Sequence, residues 1–185
     1  IKSKMFYGHL NGTGGDDRCG VYAIITLVKQ GYKPYILFTT DEEIGCQGAK
    51  AFTEQYQFDL KKEIRYIIEI DRRGDKQAVF YDCGNKEFQD YVLTFGFTKQ
   101  YGSCSDISIL SPKYDIASVN LSAGYYNEHT KQEFVKLGHL LHTVNLVKLM
   151  LTDKKNEKFY DYQEEKRVYC YSDYYNTTKK NKKKD

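Results

Sequence analysis

Four short polar clusters in this 185-residue chain contain the residue types that catalyse hydrolysis or bind metal ions. Several carboxylates in one crevice repel one another unless protons or cations neutralise them. Carboxylates that meet an imidazole are typical ligands of zinc or a similar divalent metal. If the clusters meet in space, we therefore expect a metal site. The clusters are, in chain order, Asp16 with Asp17, Asp41 with Glu42 and Glu43, Asp71, and His129.

Each cluster taken alone also has a simpler interpretation. The aspartate pair could cap a helix, and the glutamates could be a solvated helix start that the helix dipole favours. Asp71 could pair in a turn with one of the arginines that follow it. A lone histidine is more often a surface or core residue than a metal ligand. The metal-site hypothesis therefore depends on the convergence of all four clusters.

The elements that must position these clusters alternate between strand-like and helix-like segments, which predicts an α/β domain with a mixed or largely parallel sheet. In such sheets the functional crevice lies outside the carboxyl ends of the strands, where three of the four clusters are expected. Ser105 is expected to cap a further short helix that begins at Asp106. Strands are predicted at residues 35–40, 65–70, 78–81 and 116–121, and helices at residues 21–30, 49–56, 86–95 and 134–151.

Four sequence motifs, from about residue 14 to residue 151, resemble those of the di-zinc exopeptidase clan of aminopeptidases, peptidase T and related hydrolases. They occur in the clan's order and with compatible gaps. The resemblance implies a three-layer α/β/α fold with a mixed, mostly parallel sheet. The motifs are GGDDRCG, TTDEEIGCQGA, IEIDRRG and SDISILSPKYDIASVNLSAGYYNEHTKQEF.

The resemblance also implies a role for each polar cluster. Asp16 is similar to the carboxylate that bridges two zinc ions, with a cis peptide bond to Asp17. Glu42 is similar to the general base, which takes a proton from a metal-activated water. The ligands of the individual metals would be Glu43 and His129 on one side and Asp71 on the other. The dipeptide of Ser105 and Asp106 would be structural.

Two departures from the clan's pattern affect this interpretation. The clan has an upstream His-x-Asp motif whose histidine binds the second metal, and this sequence has none. His9 lies too close to the aspartate pair to be a good substitute, so we expect that an N-terminal strand with its histidine is missing. The interval between Asp71 and His129 is also too short for an inserted dimerisation domain, which favours the insert-free, aminopeptidase-like branch.

Composition and charge bound the remaining possibilities. With 41% apolar and 29% charged residues, the chain is typical of a globular protein. No apolar run is long enough for a membrane helix, and scattered cysteines without a Cys-x-x-Cys pair suggest reduced thiols in the cytoplasm. The lysine-rich residues 177–185 carry a local charge of +4, so the net charge of +3 belongs to a tail. We expect a catalytic domain at residues 1–153, a Tyr-rich extension at 154–176 and a disordered basic tail at 177–185.

The favoured function is a zinc-dependent exopeptidase, most directly an aminopeptidase, that acts on a peptide or small amide. A catalytically impaired metal-binding remnant is the first alternative, because the second metal lacks its histidine. A module that binds RNA or another polyanion through the lysine tail is the second, although nucleic-acid binding is not favoured.

Overall fold

The computed structural model describes residues 4–7, 12–154 and 157–165, which form two sheets and five α-helices. The helices are α1 (Gly15–Lys29), α2 (Gln47–Gln55), α3 (Lys86–Leu93), α4 (Ile107–Tyr114) and α5 (Leu137–Thr152). The strands are β1 (Met5–Tyr7), β2 (Ile67–Arg72), β3 (Gln77–Val79), β4 (Thr98–Gln100), β5 (Ser118–Ser122), β6 (Tyr125–Tyr126) and β7 (Phe134–Lys136).

The main sheet has four strands in the order β2-β5-β3-β4. β2 pairs with β5, and β3 with β4, in parallel, whereas β3 and β5 are antiparallel. The predicted α/β fold with a mixed sheet is therefore confirmed. A second, antiparallel sheet has the order β1-β7-β6. The loop that carries His129 connects β6 to β7 in this sheet.

Helices cover both faces of the main sheet. Side chains alternate along β2, so that Ile68 and Ile70 contribute to one hydrophobic cluster while Ile67 contributes to another. The larger cluster includes buried residues of α1, α3 and α5, and the smaller one joins α2 to α4. Each helix thus buries its apolar side against the sheet. The polar loops lie at the ends of the strands.

Residues 35–40 differ from the sequence-based prediction of a buried strand. No strand is assigned there, and four consecutive apolar side chains are between 41% and 74% exposed: Tyr35, Ile36, Leu37 and Phe38. A β-rich sequence needs a neighbouring strand for its backbone hydrogen bonds. Among the described residues no strand pairs with this segment, and β2 forms the outer edge of the main sheet.

Other predicted elements are present with shifted bounds. α1 begins at Gly15 rather than residue 21, and the predicted helix 134–151 is split into β7 and α5. β7 pairs with β1 on one side and with β6 on the other, and this tertiary pairing overrides the helical period. α4 begins after Asp106, and Ser105 does not cap it, because its hydroxyl donates to Glu69 instead.

The Tyr-rich extension is described only up to residue 165, and there it packs on the domain. Tyr160 is buried against Phe88 and Tyr91, and its backbone N–H donates to the Arg65 carbonyl at 2.9 Å. The proposed domain boundaries remain a prediction, and the lysine tail lies outside the described residues. None of the described helices is long and apolar enough to cross a membrane.

Candidate active site

Asp16 lies where a glycine-rich loop enters α1. A Cβ atom on Gly15 would come within 2.6 Å of a Val135 methyl group, so this approach requires glycine. The peptide bond between Asp16 and Asp17 is cis, as the resemblance implies. The carboxylate of Asp16 is partly buried, whereas Asp17 is exposed.

Glu133 holds the same loop from beneath. Its carboxylate accepts hydrogen bonds from the backbone N–H of Gly14 at 2.5 Å and of Asp16 at 2.9 Å. Glu133 is buried, and a charged acceptor strengthens both bonds. Sequence analysis missed this residue, since a glutamate next to a short strand has no distinctive pattern.

Glu42 and Glu43 lie in a tight loop between residues 35–40 and α2. The Glu42 carbonyl accepts from the N–H groups of Gly45 at 2.9 Å and Cys46 at 2.8 Å. Asp41 enters this loop with a φ of 61°, a conformation that is unusual for a residue other than glycine. The turn leaves Glu43 exposed and Glu42 partly buried, so the two neighbours have different environments.

His129 reaches the acidic residues from the loop between β6 and β7. Its Nε2 atom lies 2.6 Å from a carboxylate oxygen of Glu43 and 3.2 Å from one of Asp16. The hydrogen bond to Glu43 and the two nearby negative charges raise the pKa of His129. Three segments that are far apart in sequence therefore converge on one point.

These three residues fit a divalent cation. Asp16, Glu43 and His129 each offer a ligand atom, and the three atoms lie within 4.8 Å of one another. Two carboxylates and an imidazole match the preferred ligands of zinc. The rigid loop that Glu133 supports would keep Asp16 in position for such an ion.

Asp71 lies near the end of β2, and its carboxyl group and that of Asp16 each influence the pKa of the other. Burial, followed by the charges of Asp16 and Glu42, raises the pKa of Asp71 to about 8. Burial and the charge of Glu43 also raise the pKa of Asp16. Carboxyl groups that raise one another's pKa mark a place where a cation would relieve their repulsion.

The Asp71 position lacks an imidazole in the part of the chain that the structure describes. The one group of three or more metal-binding side chains found there does not include Asp71. His9, the weak substitute considered from the sequence, lies outside the described residues. The geometry thus separates the group of Asp16, Glu43 and His129, which could hold an ion, from Asp71, which belongs to no such group among the described residues.

Asn120 fixes the backbone of Asp71 from the neighbouring strand. Its Oδ1 accepts from the Asp71 N–H at 2.9 Å, and its Nδ2 donates to the Asp71 carbonyl at 3.0 Å. Asn120 is completely buried, and the pairing of β2 with β5 changes register at this point. The sequence run IASVNL gives no sign of this role.

Glu42 lies next to the ligand cluster, which consists of Asp16, Glu43 and His129, without belonging to it. Burial is the main cause of its raised pKa, and the charges of Glu43 and Asp106 add to the effect. A carboxylate beside a metal site that is not itself a ligand is suited to accept and return a proton.

A polar layer supports these residues below the loops. Ser105 donates a hydrogen bond to Glu69 at 2.6 Å, and burial raises the pKa of Glu69 well above its usual range. Thr39 donates to Asp106, which ties residues 35–40 to the start of α4. These contacts agree with a structural role for the dipeptide of Ser105 and Asp106.

The ligand cluster opens to solvent through two adjoining clefts. One cleft, of about 420 Å³, is lined by Asp16, Glu43, Glu133 and the loop of His129. The other, of about 720 Å³, also includes His129 in its lining and is bordered by the ion pair of Arg73 with Glu128. The three residues of the cluster are therefore accessible from solvent.

The fold and the site define an α/β domain like those of the di-zinc exopeptidases, and the resemblance inferred from the motifs is confirmed. Within that clan, residues 4–79 match the model of the M42 glutamyl aminopeptidase family. The match covers under half of the chain and includes Asp16, Glu42, Glu43 and Asp71 but not His129. No curated protein matches the sequence.

Solved peptidase structures share the fold. The TET1 peptidase of Pyrococcus horikoshii, which can assemble into a tetrahedron or a large octahedral shell, is 20% identical with a TM-score of 0.56 over 83% of this chain and 54% of its own. An aminopeptidase of Desulfurococcus kamchatkensis is 16% identical, with a TM-score of 0.57 over 82% and 52%. The aminopeptidase PepT of Bacillus cereus is 14% identical, with a TM-score of 0.52 over 78% and 74%.

The chain spans about half the length of the archaeal peptidases that it matches. All the residues between Asp71 and His129 are described. They form β3 to β6 with the helices α3 and α4, which leaves no room for a separate inserted domain. This agrees with the insert-free architecture expected from the sequence.

Proposed function

We propose that this chain provides catalytic machinery of a zinc-dependent aminopeptidase that hydrolyses peptides or small amides. The observation that carries the proposal is the convergence of Asp16, Glu43 and His129, with Glu42 adjacent and unused as a ligand. The match to an aminopeptidase family over residues 4–79 supports the same reaction class.

Asp16, Glu43 and His129 would hold a zinc ion, and Asp71 with Asp16 would contribute to a second position. When bound, a zinc ion lowers the pKa of its water molecule and polarises the carbonyl group of the peptide bond. Glu133 keeps the Asp16 loop in place, and Asn120 does the same for Asp71. These buried supports orient the carboxylates through hydrogen bonds to the backbone.

Glu42 would act as the general base and then as the general acid. Its carboxylate takes a proton from the attacking water and returns it to the nitrogen of the leaving group. Its partial burial raises the pKa, which makes the carboxylate a stronger proton acceptor. The exposed Glu54 on α2 lies outside this environment and is a suitable control.

The test is hydrolysis of aminoacyl-p-nitroanilides by the protein with added zinc, with and without a chelator. We expect turnover that requires zinc and is retained by Glu54→Gln. N-acetylated versions of the same substrates separate an aminopeptidase from an endopeptidase, because they lack the free amine. Equal turnover of blocked and free substrates would contradict the aminopeptidase assignment.

A catalytically impaired metal-binding protein is the second candidate. It is favoured by the absence of an imidazole beside Asp71 among the described residues. Zinc binding without hydrolysis of any free-amine substrate would support it. Binding of polyanions by residues 177–185, and a cytoplasmic location, remain predictions that lie outside the described structure.

A further inference from the structure

Two cysteines that are 58 positions apart in sequence meet beside the loop of Glu42 and Glu43. The Sγ atoms of Cys46 and Cys104 are 3.7 Å apart. Cys46 is buried at the start of α2, and Cys104 is exposed in the irregular segment before α4. The other two described cysteines, Cys19 and Cys83, are both buried.

We propose that Cys46 and Cys104 form a reversible disulfide when the protein meets a hydroperoxide, and that this bond fixes the Glu42–Glu43 loop to the segment that leads into α4. The proposed disulfide between Cys46 and Cys104 does not depend on the proposed peptidase function. Its effect on Glu42 rests on that function.

The geometry requires only a small movement. A disulfide has an S–S distance of about 2.05 Å, so the sulfurs must approach by roughly 1.7 Å. The Cys46 N–H donates a hydrogen bond to the Glu42 carbonyl at 2.8 Å, which holds the backbone of Cys46 in place. Cys104 lies outside any helix or strand, so its segment can supply the movement.

The two thiols would react in order of exposure. The exposed Cys104 sulfur attacks the peroxide oxygen, the O–O bond breaks, and a sulfenic acid and water form. The Cys46 sulfur then attacks the Cys104 sulfur, displaces its hydroxyl as water and loses its proton. Two thiols are oxidised by two electrons, and hydrogen peroxide is reduced to two waters. Burial and the neighbouring Cys104 thiol raise the pKa of Cys46 to about 12, in keeping with its role as the second, slower thiol.

The bond would act on the site through short connections. Cys46 lies three residues after Glu43, and Cys104 precedes Ser105, whose hydroxyl donates to Glu69 at 2.6 Å. A bond between them closes a loop that contains β2 and Asp71. In the reduced protein the two segments are joined by non-covalent contacts alone, and the oxidised protein adds a covalent bond between them.

Peptide mapping tests the pairing directly. The folded protein is treated with hydrogen peroxide, remaining thiols are blocked with N-ethylmaleimide, and a non-reducing tryptic digest is analysed by mass spectrometry. Cleavage isolates Cys46 in residues 30–50 and Cys104 in residues 100–113, since Lys33 precedes a proline. We expect these two peptides joined as the main cross-linked product, about 2 Da lighter than their sum and separated by dithiothreitol.

Matched variants and thermal stability complete the test. Closing so long a loop should raise the Tm of the oxidised protein by about 5 °C or more. Cys104→Ser should abolish both the cross-link and the shift, and Cys83→Ser should retain both. Cys104 recovered mainly as an oxidised or blocked single thiol, or joined mainly to Cys170, would overturn the proposal. None of these readouts needs zinc or activity, so they do not depend on the peptidase assignment.

Discussion

Adjacent glutamates can serve different purposes when a turn gives them different surroundings. Glu43 is exposed and contacts His129 at 2.6 Å, whereas Glu42 is partly buried and stays outside the ligand cluster. This difference supports the proposed metal binding by Glu43 and the proposed proton transfer by Glu42.

Replacing each glutamate by glutamine separates these roles. Glu42→Gln should lower kcat by ~10²–10⁴-fold, because a positioned acid and base is lost, while zinc content stays nearly unchanged. Glu43→Gln should lower zinc content. Steady-state kinetics and elemental analysis on the same preparations measure both. Metal loss in Glu42→Gln with full metal in Glu43→Gln would show that the roles are reversed.

Glu133 offers a test of whether a residue outside the ligand cluster positions the Asp16 loop for metal binding. Glu133→Gln removes the charge that binds the Gly14 and Asp16 N–H groups, and such supporting contacts typically contribute ~10–100-fold to metal affinity. Competition with a zinc-binding dye would measure the loss. Glu54→Gln is the matched surface control, and affinity equal to that of the control would show that Glu133 does not position the ligand loop.

Sequence alone could identify the candidate site residues but not the residues that hold them in place. Asp16, Glu43 and His129 belong to short motifs with a recognisable order, so their convergence could be inferred. Glu133 and Asn120 act by hydrogen bonds to backbone groups across segments that are far apart in sequence. No local spacing reports such contacts, because the partner groups are present in every residue.

Two helical glycines illustrate how closely the elements pack around the site. A Cβ atom on Gly20 in α1 would lie 2.1 Å from the carbonyl oxygen of Ile70 in β2, directly before Asp71. A Cβ atom on Gly138 in α5 would meet nothing within 4 Å. The first glycine allows contact between helix and strand, and the second has no such function.

Alanine at these two positions should therefore have opposite effects on stability. Gly20→Ala should lower the free energy of unfolding by about 1–3 kcal/mol or more, because α1 must move away from β2. Gly138→Ala should raise it by roughly 0.5–1 kcal/mol, because alanine loses less backbone entropy in a helix. Urea unfolding of both variants provides the measurement, and equal shifts would contradict the packing described for α1.

The elements were predictable where their own sequence decides their structure. α2, α3, β2 and β5 lie close to their predicted positions because apolar periodicity and flanking turns agree. Residues 134–136 look helical but pair as a strand, and residues 35–40 look like a strand but find no partner among the described residues. In both cases the deciding interaction is with another segment, which a local pattern does not contain.

At the scale of the whole molecule, the unequal metal positions should govern zinc binding. We expect one zinc to bind more tightly than a second, because Asp16, Glu43 and His129 form a complete set and Asp71 does not. Calorimetric titration would measure the stoichiometry, and the Tm should rise with free zinc because the ion binds the folded state. Two equally tight sites would require another ligand, and His9→Ala would then identify or exclude that histidine.

The exposed side chains of residues 35–38 should influence how the molecules associate. Placing a lysine in this run with Phe38→Lys should reduce concentration-dependent association, because a charge opposes the pairing of exposed β-rich segments. Light scattering coupled to size-exclusion chromatography measures the effect. Phe159→Lys, at a similarly exposed aromatic residue elsewhere, should change it less, and an equal effect would indicate that general charge is responsible.

The same run has a colloidal consequence that is separate from folding. β2 forms the edge of its sheet, and residues 35–38 present apolar side chains to water, so protein lost from solution need not first unfold. The usable shelf life of a preparation would then depend on protein concentration and salt more than on melting temperature. Additives that raise Tm, zinc included, would protect the metal site and still leave precipitation unchanged.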